Sequence, residues 1–178
     1  LITGIDGKRF SPAIWNKAIK REILAPIQQD LSDDIQIGED SCLTYTSICL
    51  SNSLMILDEK LYNYRANQNS MTRQRQKALS WQEPVARANF YLKYLPQDVF
   101  GMQIARITAH SLFNVAASSF VDKKYCEAKK DILFHLRQEE NRKYVKIAQF
   151  KRNLKEKISI FCLRHKLIFP IFIYAKYM

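Results

Sequence analysis

The stretch IARITAHSLFNV, residues 104–115, sets the fold class of this chain. Its apolar side chains recur at the helical spacing that places them along one side of an α-helix. They are Ile104, Ile107, Ala109, Leu112 and Val115. We predict that this stripe faces a helical core. The same reasoning predicts helices over residues 74–95, 98–121, 123–138 and 142–166.

Ahead of this helical part, proline positions indicate a further helix. Ser11-Pro12 is typical of a helix start, because proline is favoured at the first helical position. Pro26 is typical of a helix end. One helix is therefore predicted from Ser11 to about Leu24, followed by an acidic, irregular segment over residues 27–38.

After this segment the pattern changes again. A helix is predicted from Glu39 to about Ser51. Its apolar face is expected to contain Leu43, Thr46 and Leu50. Residues 53–57 and 60–65 are predicted to form two short strands around an Asp58-Glu59 turn. The predicted fold class is α+β and predominantly α-helical, with a few short strands followed by a helical C-terminal domain.

Charge is unevenly divided along the chain, whose formal net charge is +11. Residues 1–70 hold seven Lys or Arg and nine Asp or Glu, a net charge of −2, whereas residues 71–178 carry +13. This asymmetry suggests two functional parts, the second of which suits an anionic surface. Lipid, nucleic acid and polyanionic glycan all satisfy that requirement.

The cysteines and histidines are too scattered to indicate a metal or redox site. The four cysteines form no C-x-x-C pair and have no histidine nearby at ligand spacing. They are Cys42, Cys49, Cys126 and Cys162. We interpret them as buried, reduced thiols, and so expect a reducing, cytoplasmic compartment. The three isolated histidines are interpreted as structural or solvated.

Three short motifs carry candidate chemistry. Trp15-Asn16-Lys17 comes first, Gly38-Glu39-Asp40 opens the second predicted helix, and Tyr62-Asn63-Tyr64-Arg65 follows. An acid at the start of a helix is held, in its charged form, by the free N–H groups of the first turn. Such a carboxylate can accept the proton of an attacking hydroxyl. The same triplet is also an ordinary helix start, so the residues alone leave both interpretations open.

In this order the motifs resemble the second half of the catalytic domain of a bacterial family-2 glycosyltransferase, an inverting enzyme of the GT-A type. Two flanking segments share the resemblance, Lys20-Arg21-Glu22 and Asn69-Ser70-Met71-Thr72. The resemblance implies an acceptor-side part of a GT-A domain over residues 1–72. A helical domain over residues 73–141 and a basic amphipathic helical tail over residues 142–178 would follow.

The resemblance also implies roles for single residues. Asp40 would be the catalytic base, with Glu39 its neighbour in the acceptor site. Trp15 and Lys17 would build the acceptor pocket or the packing under it, since a Trp face suits a sugar ring. Gly38 would let the loop approach the substrate. A core position is the alternative for Trp15.

The donor side of such an enzyme is expected outside this chain. Arg65 would contact the leaving diphosphate, with a solvated strand end as its alternative. The family binds a nucleotide sugar with a divalent metal, Mn²⁺ or Mg²⁺, through an Asp-x-Asp-type motif that this sequence lacks. We therefore expect a donor-binding segment before Leu1 in a longer parent enzyme, and no activity from this chain alone. The parent would transfer sugar to a surface-polysaccharide or glycolipid acceptor.

The tail is strongly basic and partly apolar. Residues 142–178 hold ten Lys or Arg against a single acid, Glu156. An apolar helical face is predicted from Phe150, Leu154, Ile158, Phe161 and Cys162. Residues 167–177 are apolar and aromatic but too short to span a bilayer. This pattern is typical of a helix in the interface of an anionic membrane, here the inner face of the plasma membrane.

Two alternatives to this interpretation remain open. The apolar faces of the tail could pack into the helical domain or form a homo-oligomer. The chain as a whole could be a non-catalytic basic helical module that binds an anionic membrane, nucleic acid or a protein partner. Nucleic acid is disfavoured because no zinc finger, RNP-type strand or recognition-helix motif is present.

Overall fold

The computed structural model describes residues 11–57, 59, 61–63, 79–149 and 154–177. These parts of the chain contain eight α-helices and no β-strand. The helices are α1 (Arg21–Gln29), α2 (Glu39–Leu50), α3 (Gln82–Tyr94), α4 (Gln97–Asp122), α5 (Tyr125–His135), α6 (Glu139–Ile147), α7 (Leu154–Arg164) and α8 (Ile168–Lys176). The predominantly helical prediction is confirmed.

Helix α4 is the centre of the helical part. α3, α5, α6, α7 and α8 all pack against it. Ile104, Ala109, Leu112 and Val115 of the predicted stripe are buried, and Ile107 packs against the same core. Burial extends beyond one face because neighbouring helices enclose α4 on several sides. This explains why small residues such as Ala105 and Ala116 are buried as well.

The first two helices join this bundle through α3. α1 packs against α2, and α2 packs against α3. Six consecutive α2 residues, Cys42 to Ser47, are buried, so α2 is enclosed on all sides rather than along one stripe. Leu50 is exposed, so the predicted apolar face of α2 is wrong at this position. As the last residue of the helix, Leu50 lies past this enclosed stretch.

The predicted helix from Ser11 to Leu24 is wrong over its first half, because residues 11–20 form turns and loop. The Ser11 hydroxyl accepts the Ala13 N–H at 3.3 Å, a local turn that competes with helix. The Lys17 ammonium donates to the carbonyls of Ser11 and Ala13, which a helix would use for its own ladder. α1 instead begins at Arg21.

Pro26 lies inside α1, so the prediction that it ends the helix is also wrong. α1 continues for three residues, to Gln29. Proline at this sixth position removes one N–H donor and costs helix stability. The cost is offset by tertiary packing, since Ile27, directly after the proline, is buried in the core.

The predicted strand over residues 53–57 is not present. These residues form no sheet ladder, and Leu54, Met55, Ile56 and Leu57 are exposed. A strand needs a neighbour that pairs with its backbone groups, and the described residues offer none. The second predicted strand, over 60–65, is described only at residues 61–63, which are not a strand. The predicted boundary near residues 67–73 lies outside the described residues.

The helical predictions for the C-terminal part are confirmed for α4 and α5 within a few residues at each end. The predicted helix over residues 142–166 is two helices, because α6 ends at Ile147 and α7 begins at Leu154. Arg164 of α7 donates to the carbonyls of Val145 and Lys146 at 2.9 Å each. A guanidinium that binds these last carbonyls of α6 favours a helix end there.

A tight turn joins α7 to α8. The Leu167 N–H donates to the Cys162 carbonyl at 2.8 Å, and the Lys166 N–H donates to the Leu163 carbonyl at 3.2 Å. This is the Schellman arrangement of a helix C-terminus. Lys166 occupies its left-handed position, with φ of 53°, where glycine is usual. The turn brings α8 back against α4 and α7.

Candidate functional site

The Gly38-Glu39-Asp40 triplet forms the start of α2. Gly38 precedes the helix with a φ of +89°, a left-handed conformation that glycine adopts without steric cost. The Cys42 N–H donates to the Gly38 carbonyl at 3.1 Å, which is the first hydrogen bond of the helix. Glu39 and Asp40 lie in the first turn and are half-buried. Their position agrees with the predicted helix start.

An ion pair from α3 lies against the Gly38 turn. A Cβ atom on Gly38 would lie 2.7 Å from Nη1 of Arg87, so only glycine leaves room for this guanidinium. Arg87 Nε lies 3.9 Å from Glu83 Oε1, and Arg87 Nη2 donates to the Ser111 hydroxyl at 2.8 Å. Residues of α3 and α4 therefore support the Gly38 turn.

The carboxylate of Glu83 belongs to this support. It accepts the backbone N–H of Ile37, next to Gly38. Burial raises the pKa of Glu83 above its ordinary value of 4.5, against the opposing effects of Arg87 and the Ile37 N–H. Both the backbone before Gly38 and the space beside it thus depend on the Glu83–Arg87 pair.

The Trp15-Asn16-Lys17 motif lies beside α2. The Thr44 hydroxyl of α2 donates to the Pro12 carbonyl at 2.9 Å, which attaches the loop to the helix. Lys17 Nζ donates to Ser11 O at 2.8 Å, Ala13 O at 2.6 Å and Asn16 Oδ1 at 2.7 Å. An ammonium has three donors, so these bonds use all of them. Lys17 therefore stabilises the loop, and its charge acts on the site without a direct hydrogen bond.

Lys17 and Asp40 interact electrostatically. Burial lowers the pKa of Lys17 from its ordinary 10.5, and the Asp40 carboxylate opposes that change. Asp40 is thus a half-buried carboxylate with a cationic neighbour. A carboxylate in this position can accept a proton from a bound hydroxyl.

An aromatic pair completes the cluster. The rings of Trp15 and Tyr62 have centroids 4.5 Å apart at an interplanar angle of 30°. Trp15 remains 42% exposed, so it is not a core residue, the alternative considered from the sequence. An exposed indole beside a phenol offers an apolar surface of the kind that packs against the C–H face of a sugar ring.

Arg65 and a metal site are the remaining features of the enzyme that the resemblance implies. Arg65 lies outside the described residues. Among the described residues no three His, Cys, Asp or Glu side chains lie close enough to hold a metal ion. A charged neighbour of Asp40 is the Lys17 ammonium, whose positive charge opposes the binding of a divalent cation at this carboxylate.

The thiols differ in environment. Cys42 and Cys162 are buried, Cys49 is half-buried and Cys126 is exposed, so the prediction of buried thiols is wrong for Cys126. Cys126 is the second residue of α5, which leaves it on the solvent side of the bundle. Burial raises the pKa of Cys42 to about 11, despite a hydrogen bond with Tyr91. Such a thiol is protonated at neutral pH and unreactive.

A separate groove lies on the other side of α3. Its volume is about 720 Å³ and it contains none of the predicted site residues. Trp81 and His135 stack inside it, with ring centroids 4.8 Å apart. Burial lowers the pKa of His135, with Asp131 opposing. His135 thus packs against Trp81 with its Nε2 3.7 Å from Asp131 Oδ1.

The residues that the sequence did not reveal are Glu83, Arg87 and Ser111. The i,i+4 spacing of Glu83 and Arg87 is a signal for an ion pair on a helix, and nothing more. Their contact with Gly38 depends on how α3 packs on α2, which no local pattern specifies.

None of the described helices has both the length and the apolar character needed to cross a bilayer.

Comparison of the chain with protein-family models, with curated proteins and with solved structures gave no match.

Proposed function

We propose that this chain is the acceptor half of an inverting glycosyltransferase, in which Asp40 is the general base. The observation that carries the proposal is the meeting of motifs far apart in the sequence. The Trp15 ring contacts the Tyr62 ring, and the Lys17 ammonium interacts electrostatically with the Asp40 carboxylate. The loop that carries Trp15 and Lys17 is attached to α2 by the hydrogen bond from Thr44 to the Pro12 carbonyl. An ordinary helix start requires none of these contacts.

The proposed reaction is a single displacement. Asp40 accepts the proton of the acceptor hydroxyl while that oxygen attacks the anomeric carbon of the donor sugar. The bond from the anomeric carbon to the diphosphate oxygen breaks, and the nucleoside diphosphate leaves with the bonding electrons. The anomeric configuration inverts because attack and departure occur on opposite faces. Trp15 and Tyr62 are proposed to hold the acceptor ring.

Within the site the remaining residues position the base. Lys17 fixes the loop that carries Trp15 and keeps a positive charge near Asp40. Gly38 and Arg87 fix the backbone from which Glu39 and Asp40 extend. Arg65 is proposed to contact the leaving diphosphate, and the nucleotide sugar and its divalent metal are proposed to be held by the donor half of the parent enzyme.

The segment after α2 supports the idea of a missing half. Leu54 to Leu57 are all exposed, and Leu61 is exposed as well. An exposed apolar run of this length is unusual on the surface of an isolated domain. We propose that it pairs with a sheet of the donor half, where residues 53–57 and 60–65 would become the short strands predicted from the sequence.

The test uses the protein that carries this sequence, isolated from its native cells. Release of nucleoside diphosphate from a panel of nucleotide sugars is measured with lipid-linked acceptors from the same cells. Asp40→Asn removes the base without changing its size, and should lower turnover by about 10²- to 10⁴-fold. Binding of the nucleotide sugar should not change, since the donor lies on the other half.

Asp33→Asn is the matched control, because Asp33 is an exposed acid of the loop before α2. It should retain full turnover. Equal activity of the two variants would mean that Asp40 is not the base. No turnover by the unsubstituted protein with any donor would instead favour the non-catalytic basic module.

The location proposed for the parent enzyme is the inner face of the plasma membrane. Nucleotide sugars are made in the cytoplasm and lipid-linked acceptors lie in the membrane, so a peripheral position gives access to both. The basic charge of residues 71–178 supports this position.

A further inference from the structure

Helix α7 has two opposite faces that are both apolar. One face is buried against the bundle, and its members are Ser159, Ile160, Cys162 and Leu163. The other face points to solvent and consists of Leu154, Ile158 and Phe161, which are 70%, 52% and 54% exposed. These three residues follow i, i+4, i+7 spacing and therefore form one continuous stripe. The fold accounts for the first face and leaves the second uncovered.

Helix α8 repeats the arrangement. Ile168 and Ile171 are buried against the bundle, whereas Phe169 and Ile173 are exposed. α7 and α8 pack against each other, so two uncovered apolar faces come from neighbouring helices. Together they are the exposed residues Leu154, Ile158, Phe161, Phe169 and Ile173, which we call the outer face. Single exposed apolar residues are common, whereas a set of five on two helices that pack together is a candidate contact surface.

Basic side chains border the outer face. Lys157, Arg164 and His165 line a shallow cleft of about 320 Å³ that also includes Phe161. Arg164 is held in place by the α6 carbonyls that it binds, so its charge is fixed at the cleft. Lys157 is exposed. A cleft with fixed positive charge beside an exposed phenyl ring fits a phosphate group attached to an apolar chain.

Lys166 supplies a further charge at a conformational cost. It lies at the left-handed position of the α7–α8 turn, where glycine would avoid strain. An L-residue with a Cβ is unfavourable there by about 1 kcal/mol. The turn is therefore less stable with Lys166 than it would be with glycine, and Lys166 places a positive charge between α7 and α8. Backbone strain of this kind often lies at functional sites, so the charge is evidence for a binding surface here.

We propose that the outer face of α7 and α8 docks on an anionic phospholipid membrane, with lipid phosphates bound along its basic border. Apolar residues enter the interface between headgroups and acyl chains, and the lysines and arginines attract the negative surface. Nucleic acid fits less well, since a phosphate backbone needs the charges but not the exposed aliphatic stripe. The inference deepens the membrane location proposed above, but it does not depend on the proposed glycosyl transfer, because it uses no residue of the α2 site.

The experiment is sedimentation of the full 178-residue chain with vesicles. Phosphatidylcholine vesicles are compared with vesicles that also contain phosphatidylserine. The chain should bind the anionic vesicles and dissociate at high salt. Phe161→Ser should weaken binding by about tenfold or more, because the variant has no phenyl ring to bury in the membrane interface. Phe134→Ser is the control, since Phe134 is 59% exposed on α5; it should bind like the unsubstituted chain.

Charge is tested with a matched pair. Lys157→Gln and Lys129→Gln each remove one exposed lysine, the first from the border of the outer face and the second from α5. The first should weaken vesicle binding by about fivefold, the effect of one basic residue near an anionic surface. The second should have little effect. Equal losses in the pair, or no vesicle binding by the unsubstituted chain, would overturn the proposal.

Lys166→Gly separates binding from folding, because the two effects have opposite signs. Glycine relieves the left-handed strain, so the variant should unfold at a higher denaturant concentration. It also removes a charge beside the outer face, so vesicle binding should weaken by about fivefold. Unchanged vesicle binding by this more stable variant would overturn the role of the turn. A doubled mass in solution that Phe161→Ser abolishes, without vesicle binding, would identify a dimer interface instead and overturn the proposal.

Discussion

Helices α2 and α4 are both enclosed, but by different chemistry. The buried residues of α4 are mostly apolar and lie among five neighbouring helices. The buried stretch of α2 is Cys-Leu-Thr-Tyr-Thr-Ser, and its hydroxyls at Thr46 and Ser47 have no hydrogen-bond partner among the described residues. α4 is therefore held by apolar burial, whereas α2 also depends on specific contacts, such as the Thr44 hydrogen bond to Pro12 and the Arg87 side chain beside Gly38. The first arrangement stabilises a scaffold, and the second fixes the direction of a small number of side chains.

The largest effect is expected in α4. Leu112→Ala removes a fully buried side chain from the centre of the bundle. It should lower the free energy of unfolding by about 2–5 kcal/mol, through lost burial and the cavity that remains. Denaturant unfolding measures this loss. Val121→Ala, at an exposed position of the same helix, should change stability by less than about 0.5 kcal/mol.

The two described glycines should respond in opposite directions. Gly38→Ala places a Cβ in a left-handed conformation and 2.7 Å from Arg87 Nη1, so it should destabilise by about 1–3 kcal/mol. Gly101 lies inside α4, and a Cβ there meets only the flexible Gln97 side chain, at 3.3 Å. Gly101→Ala should therefore stabilise by about 0.5–1 kcal/mol. The pair is compared by denaturant unfolding.

Losses of equal size at both glycines would remove the distinction drawn between α2 and α4. If Gly38→Ala leaves stability unchanged, Arg87 must move away at little cost. In that case its contact with the turn would not fix the direction of Glu39 and Asp40, and Arg87→Lys should leave the proposed glycosyl transfer unchanged as well.

The features that the sequence predicts correctly are local ones, and those that it misses depend on contacts with distant residues. The α4 stripe of Ile104, Leu112 and Val115 was predictable, because apolar periodicity is a local property of the sequence. The residues that this periodicity places on one side of the helix are the ones that are buried. The start of α2 was predictable from Gly38 and the acids after it, since capping is also local. These elements depend on neighbours within one or two turns of helix.

The remaining features depend on distant partners. Pro26 stays inside α1 because of packing that surrounds Ile27. Residues 11–20 avoid helix because the Lys17 side chain takes their carbonyls, a choice that helix propensity does not contain. In the candidate site, the acids were predictable by type and position, but the Glu83–Arg87 support beneath them was not. It arises only when α3 packs on α2.

A buried hydroxyl of α2 gives a smaller test. Thr46→Val keeps the shape of the side chain and removes an oxygen that has no hydrogen-bond partner among the described residues. It should raise the free energy of unfolding by about 1 kcal/mol, since an unpaired buried polar group is costly. Thermal unfolding of the chain measures the change. A loss of stability would show that the Thr46 hydroxyl has a hydrogen-bond partner, in contrast to what the described residues indicate.

The smallest effect is a difference in pH dependence between the two regions. Burial raises the pKa of Glu83 above 4.5, so the folded chain holds this proton more tightly than the unfolded chain. The contribution of Glu83 to stability is therefore present below pH 4.5 and is lost as pH rises through the folded pKa. Burial lowers the pKa of His135 below 6.5, so its contribution is present above pH 6.5 and is lost as pH falls.

The Glu83 slope begins as pH rises above 4.5 and the His135 slope begins as pH falls below 6.5; the two have opposite signs, and single variants separate them. Glu83→Gln should leave the His135 slope, so that stability falls as pH falls below 6.5. His135→Phe keeps a ring against Trp81 and should leave the Glu83 slope, so that stability falls with pH. Each slope should stay below about 1.4 kcal/mol per pH unit, the limit for one proton. Parallel curves for the two variants would mean that neither group is perturbed by burial, and that the support beneath Gly38 is open to water.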